Sequence, residues 1–396
     1  MSDPTLGAYN IFDLREMAMR RVPKGVFEFV DRGTEDEVGL RNNRDAFERI
    51  KLKPRTLVDV SKRSQEIEFF GHKHKMPIAI APTGTAGLMW YQGEIALAKA
   101  AAAAGIPFTL ATGSQTSMEK VAEAVPGARL WFQLYMWPDR SLSHQLVERA
   151  KNAGFEALVV TVDGAAAGNR EYNMRNGFTM PFQYTRRNIW DVLKHPRWMF
   201  GVLARYILTT GMPRYENYPS AIKNKITGLP MGRASMRTDS LSWEDLRQLR
   251  KIWPHKLIVK GILHPEDAIN AADCGADGVV VSNHGSRNLD VTMAPIEVLP
   301  EIVAAVGKRV AVIVDSGFRR GSDVVKALAL GADMVYIGRS TLYGTGAGGE
   351  AGAARAISIF REEIDRVMAL IGCRSVAELN PDYLVLPKTV AALKRA

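Results

Sequence analysis

Eight short apolar runs, spaced so that a helix fits between most of them, constrain this chain more than any other feature. They are Ile78–Ala81, Phe108–Ala111, Leu130–Leu134, Leu158–Val162, Leu257–Lys260, Gly278–Ser282, Val312–Asp315 and Met334–Gly338. Helix-like segments lie between them, among them Gly93–Ala104, Met118–Ala124, Ser141–Ala153, Pro265–Ala272, Pro295–Val306 and Ser322–Leu330. Such alternation predicts a parallel α/β sheet, and eight units predict closure into a (β/α)8 TIM barrel; a doubly wound open sheet is the alternative. An internal repeat agrees. Gly275-Ala276-Asp277-Gly278-Val279-Val280-Val281 lines up with Gly331-Ala332-Asp333-Met334-Val335-Tyr336-Ile337, and Gly154–Val160 is a looser third copy.

Length suits either two domains or one large barrel with insertions: the chain has 396 residues. The reading is one domain, with residues 1–75 as an N-terminal cap, 76–375 as the barrel and 376–396 as a C-terminal tail. Residues 174–240 form an insertion after the fourth strand, far longer than an ordinary βα loop. The formal charge is +10, and from Met174 to Arg237 eleven Lys/Arg face only Asp191 and Glu216, so this segment carries +9 of it. A local basic block predicts a local anionic partner. Within it, Asn188–Leu208 mixes tryptophans and other bulky apolar groups with cations, which suits a segment lying in a membrane surface; a lid or an oligomer contact is the plainer reading. No recognised nucleic-acid motif accompanies the charge, and no nucleic acid is expected. No secretory signal, no membrane-spanning run and no metal-ligand spacing is read; Cys274 and Cys373 are expected in the core.

The chemistry collects at strand ends. Gln133 and Tyr135 follow the third strand, Thr161 and Asp163 the fourth, Lys260 ends the fifth, His284 and Arg287 follow the sixth, Asp315 ends the seventh and Arg339 follows the eighth. Barrel active sites are built at that edge, and burying so many polar groups without a ligand is costly. A base near neutral pH beside a cation suits action on an acid. The glycine-rich loops Asp315–Gly321 and Gly338-Arg339-Ser340 have the position and composition of a phosphate site.

Together Ser282-Asn283-His284-Gly285-x-Arg287-x-Leu289-Asp290, Asp315-x-Gly317-x-Arg319-x-Gly321-x-Asp323 and Trp131-Phe132-Gln133-Leu134-Tyr135 are highly specific. The chain resembles the FMN-dependent L-2-hydroxy acid oxidase/dehydrogenase family from about Leu14 to Tyr383, nearest its mandelate and respiratory lactate dehydrogenase branches. That resemblance implies FMN across the barrel mouth, held by Ala81, Pro82, Thr83, Thr112, Gln133, Thr161, Lys260 and Ser282, with its phosphate near Asp315, Gly317, Arg319, Gly338 and Arg339. Arg287, Arg170 and Tyr135 would hold the substrate's carboxylate and alkoxide. His284 would be the base, oriented by Asp163, in either a hydride or a carbanion route, with Lys260 beside the flavin. The product would be the 2-keto acid.

Departures from the family pattern shape the expected pocket. Phe29 stands where the family usually has a carboxylate-binding tyrosine, Gly84 where several oxidases carry alanine, and Gly113 where glycolate oxidase carries tryptophan. A wider, more apolar pocket follows, for a mandelate- or lactate-like acid. The resemblance further implies a peripheral position on the cytoplasmic side of the inner membrane, a membrane quinone as electron acceptor and a homotetramer. The alternatives are a soluble oxidase that makes peroxide from oxygen, and a flavin-binding barrel acting on a larger substrate or partner.

Overall fold

Continuous apolar strands require cover on both faces, and the computed structural model shows how this chain supplies it. It describes residues 4–178, 185–220, 223, 225–226 and 239–386. The eight barrel strands are β1 (Ile78–Ile80), β2 (Phe108–Ala111), β3 (Leu130–Leu134), β4 (Ala157–Thr161), β5 (Lys256–Ile262), β6 (Gly278–Val281), β7 (Ala311–Val314) and β8 (Met334–Ile337). They run parallel in sequence order and close β8 onto β1, with Val335 opposite Ile78 and Ile337 opposite Ile80. This is the TIM barrel expected from the alternation. Helices Gly93–Ala104, Met118–Ala124 and Pro295–Val306 have the predicted bounds, and the other three predicted helices shift by one residue. Two helices between Arg339 and Leu370, broken by non-helical Gly348 and Gly349, are not evident from the sequence, because the first is rich in glycine and threonine.

Strand residues alternate between two cores. Ala79, Trp131, Val159, Ile258, Val280, Ile313 and Tyr336 fill the barrel interior. Ile80, Phe132, Val160, Val259, Val281, Val314 and Ile337 face the surrounding helices. The Gly-Ala-Asp repeat has a physical role. Asp277 before β6 accepts the Leu257 amide of β5 at 2.9 Å, and Asp333 before β8 accepts the Val312 amide of β7 at 2.7 Å. Each copy therefore ties the start of its strand to a neighbour.

The N-terminal region serves both ends of the barrel, which extends its expected role as a cap. At the lower end a hairpin, Ile67–Phe69 with His72–His74, brings Phe69 and Phe70 within 6.1 and 6.0 Å of the Trp131 ring. At the upper end sit helices α1 (Ile11–Arg21), α2 (Lys24–Asp31) and α3 (Val38–Arg49). The buried Asp290 carboxylate accepts the Val38 and Gly39 amides at 3.0 and 2.9 Å, capping α3 from the loop after β6. A β-carbon at Gly39 would lie 2.2 Å from the Asp290 carbonyl, so only glycine fits. Lys51–Leu52 pairs antiparallel with Leu384–Val385, joining the cap to the end of the described chain.

Among the described residues, the insertion forms short helices at Arg186–Lys194, Pro196–Trp198 and Arg205–Thr209, with a π-helical turn at Met199–Ala204. Three of its side chains anchor it to the loops after β1 and β2. Trp198 Nε1 donates to the Leu88 carbonyl at 2.6 Å, Tyr206 Oη accepts the Gln92 amide at 3.1 Å, and Asn217 Oδ1 accepts the Met118 amide at 2.8 Å. Residues 179–184 and 227–238 of the predicted insertion lie outside the described residues. Both cysteines are buried and unpaired, as expected. Trp131 is 3% exposed and bridges the hairpin to the barrel interior. Trp131→Ala is expected to cost about 3–5 kcal/mol, read as a lower denaturation midpoint with little change in slope.

Candidate active site

At the upper end the strands stop and their polar residues surround a cleft of about 1040 Å³, measured out to its open mouth. Ala81, Pro82, Thr83, Gly84, Gly113, Gln133, Tyr135, Arg170, Lys260, His284, Arg287, Asp315, Gly317, Arg319, Gly338, Arg339 and Phe29 line it, together with Val30, Phe318, Tyr336 and Leu342. Four residues expected at the site are set back from the cleft. Thr112 donates its hydroxyl to the Gln133 carbonyl at 2.6 Å, and Ser282 takes the Lys260 ammonium at 2.7 Å. Asp163 lies behind His284, and Thr161 is buried at the end of β4.

The centre is a half-buried relay. His284 Nδ1 donates to Asp163 Oδ1 at 2.8 Å, which leaves Nε2 toward the Tyr135 hydroxyl, 3.5 Å away. His284 sits in the left-handed region at φ 56°, so its loop turns back sharply after β6. Its amide donates to Ser282 Oγ at 3.1 Å, the same oxygen that Lys260 holds, so base and cation share one anchor. Lys260 also pairs with Asp315 at 3.0 Å. Burial, helped by Lys260 and Arg170, lowers the His284 pKa, and Asp163 offsets this only in part. Burial alone would raise Asp163, but His284 and Lys260 outweigh it and hold the carboxyl below its usual range. Burial would lower Lys260, but Asp315 and Asp163 raise it. The imidazole is therefore neutral at pH 7 between an ionised carboxylate and a fixed ammonium.

Gly261 makes this packing possible and was not singled out in the sequence. Strand β5 runs past Lys260 to Ile262, and its register against β6 slips between those two residues. Gly261 adopts φ 110°, and a β-carbon there would lie 2.6 Å from Asp163 Cβ. A glycine inside an apolar strand is the trace such a bulge leaves in a sequence.

The cations beside the relay lack counter-charges. Arg287 Nη1 donates to the carbonyls of Phe29 and Arg32, at 2.5 and 3.3 Å. Arg170 donates from Nε to the Arg287 carbonyl at 3.1 Å. Neither has a carboxylate partner among the described residues, and burial followed by Arg170 pushes the Arg287 pKa down. The Phe29 ring lies 4.9 Å from the Arg287 guanidinium and 5.8 Å from that of Arg170, so Phe29 presents a cation–π face to both cations and no hydroxyl, as its identity led one to expect.

Opposite, two loops converge. Gly317 has φ 86°, and a β-carbon there would lie 2.5 Å from the Asn43 carbonyl. Asp323 holds the Arg319 and Arg320 amides at 2.9 and 3.0 Å, and Ser340 donates to the Phe318 carbonyl at 2.8 Å, joining both loops at helix N-termini. Backbone amides there suit a phosphate. Arg339 lines the cleft beside these loops. Three of its five N–H groups donate to the carbonyls of Val30, Gly285 and Arg32 at 2.8, 2.8 and 2.9 Å, so it also clamps α2 to the β6 loop. Two buried polar atoms at the strand ends, Gln133 Nε2 and Thr161 Oγ1, have no partner among the described residues. A flavin's heteroatoms would satisfy such groups, with Lys260 as the adjacent cation.

Fold and site together define a flavin-dependent oxidoreductase built on a TIM barrel. The FMN-dependent dehydrogenase model matches residues 18–386. (S)-mandelate dehydrogenase of Pseudomonas putida is 44% identical over 379 residues, covering 95% of this chain and 93% of that one. An L-lactate dehydrogenase of Chromohalobacter salexigens is 40% identical over 385 residues, covering 97% of each. The crystal structure of a monotopic membrane protein, (S)-mandelate dehydrogenase, superimposes with a TM-score of 0.90 at 43% identity, over 96% of this chain and all of that one (100%). The chain belongs to the FMN-dependent dehydrogenase family, among mandelate and L-lactate dehydrogenases, and its cofactor is FMN. Removing FMN should destabilise the fold. Restoring it at about 100 times its Kd should return about 2.7 kcal/mol, read as a rise in the denaturation midpoint.

Proposed function

We propose that this protein oxidises an L-2-hydroxy acid of the mandelate or lactate kind to the 2-keto acid. The observation that carries this reading is a neutral imidazole, locked at Nδ1 by Asp163, facing a cleft in which the guanidiniums of Arg170 and Arg287 have no carboxylate partner among the described residues. FMN, when bound, supplies the two-electron acceptor. Arg287 and Arg170 bind the carboxylate and fix the α-carbon. Tyr135 donates to the substrate oxygen, and His284 Nε2 takes the proton of the 2-hydroxyl. Asp163 stabilises the imidazolium that forms, and the buried Lys260 keeps positive charge beside the cofactor. The apolar Phe29 face and the small Gly84 and Gly113 support an aromatic or longer side chain.

Anaerobic mixing with (S)-mandelate or L-lactate should bleach the flavin. His284→Gln should retain FMN yet stay yellow, and Asp163→Asn should reduce it about 10²–10⁴-fold more slowly. Because the His284 pKa is lowered, the base form persists as pH falls below the ordinary histidine range near 6.5, and kcat/KM should decline only below that value. A steep loss already at pH 7 would contradict the assignment.

The acceptor we infer is a membrane quinone. No described helix is long and apolar enough to cross a membrane. The insertion exposes Trp190, Phe200, Ile207 and Leu208 beside the exposed cations Arg186, Arg187, Lys194, Arg197 and Arg205, the pattern of a segment resting in a lipid surface. Phe200 and Leu208 are 65% and 84% exposed, so charging them leaves the fold intact. Phe200→Glu with Leu208→Glu should abolish sedimentation with anionic vesicles while flavin bleaching persists.

A further inference from the structure

Just beyond its short helices, the insertion sends one aromatic ring back toward the cleft. Tyr215 Cε1 and Cδ1 lie 3.7 and 3.9 Å from where a β-carbon at Gly113 would stand, and Gly113 lines the cleft. Those are ordinary contact distances, so a β-carbon at Gly113 would touch the ring without displacing it, and the ring stands directly behind this part of the cleft wall. Its position is built in. The Glu216 amide donates to the Ser114 carbonyl at 3.0 Å, and the fully buried Asn217 accepts the Met118 amide at 2.8 Å and donates to the Thr116 carbonyl at 3.2 Å. Tyr215 stacks on Tyr218 at 4.8 Å and 20°, and Tyr218 meets Trp137 edge-on at 5.6 Å. The Arg170 guanidinium, which lines the cleft, is within electrostatic reach of its phenol, and burial keeps that phenol neutral.

We propose that Tyr215 is a specificity-determining residue: an aromatic wall, carried by the insertion, that stands behind Gly113, where no side chain screens it, and receives the side chain of an aromatic 2-hydroxy acid while Arg170 and Arg287 hold its carboxylate. The inference rests on the functional reading above and adds the element that selects the substrate's far end. A flat, well-supported ring rewards an aromatic substrate by stacking and does little for a methyl group. The same segment that meets the lipid surface thereby shapes the pocket.

The experiment compares anaerobic flavin reduction by (S)-mandelate and by L-lactate in the full-length FMN-loaded enzyme, in Tyr215→Phe and in Tyr215→Ala, with FMN content taken from the visible spectrum. Tyr215→Phe should keep the ratio of the two kcat/KM values within about twofold, because stacking does not need the hydroxyl. Tyr215→Ala should lose roughly tenfold in kcat/KM for (S)-mandelate, mostly through KM, and less than about threefold for L-lactate. Tyr215→Leu, which keeps bulk at the seam, takes its place if the alanine variant does not hold FMN. An unchanged ratio, or equal losses for both acids, overturns the role of Tyr215 and leaves the reaction standing. If neither acid bleaches the unaltered enzyme, the functional reading fails first and the specificity role falls with it.

Discussion

Closure of β8 onto β1 is the constraint on which the rest depends. A parallel strand buried on both faces must be apolar along its length, so polar groups can stand only where a strand stops. Once eight strands stop around one ring, their polar ends face one another whether or not they are close in the chain. Asp163 and His284, 121 positions apart, meet this way at 2.8 Å. The cost of gathering buried charges is contained by pairing Lys260 with Asp315 and His284 with Asp163. The guanidiniums of Arg170 and Arg287, which have no carboxylate partner among the described residues, are what an acidic substrate would complete.

The N-terminal region keeps this ring in shape from two directions. Below, Phe69 and Phe70 close the barrel against Trp131. Above, Asp290 caps α3 and Arg339 bridges α2 to the β6 loop. The aspartate of the motif around His284 and the arginine after β8 thus hold the wall of the cleft in place.

The insertion unites two demands. Its exposed face mixes aromatic, aliphatic and basic groups, while its buried residues Trp198, Tyr206 and Asn217 grip the loops after β1 and β2. Those loops carry Gly84 and Gly113 into the cleft. A segment serving the surface is therefore in mechanical contact with the substrate pocket, and its fourth anchor, the Glu216 amide on Ser114, sets a tyrosine beside Gly113.

Much of this was legible in the residues alone. Strand and helix runs are local, governed by periodicity and burial, so the eight strands and most of the helices stood within a residue or two of their observed bounds. Polar residues at the ends of apolar runs marked His284, Arg287, Lys260 and Gln133, because nothing but an active edge tolerates them there. What the sequence left open was partnership. That Arg339 reaches three carbonyls depends on where α2 docks, and the place of Tyr215 depends on how a long loop folds back. The Gly261 bulge, too, has meaning only once Asp163 is seen against it. Local pattern decides which segments are buried; only barrel closure decides which distant groups share a hydrogen bond, because those contacts span more than a hundred residues and have no period along the chain.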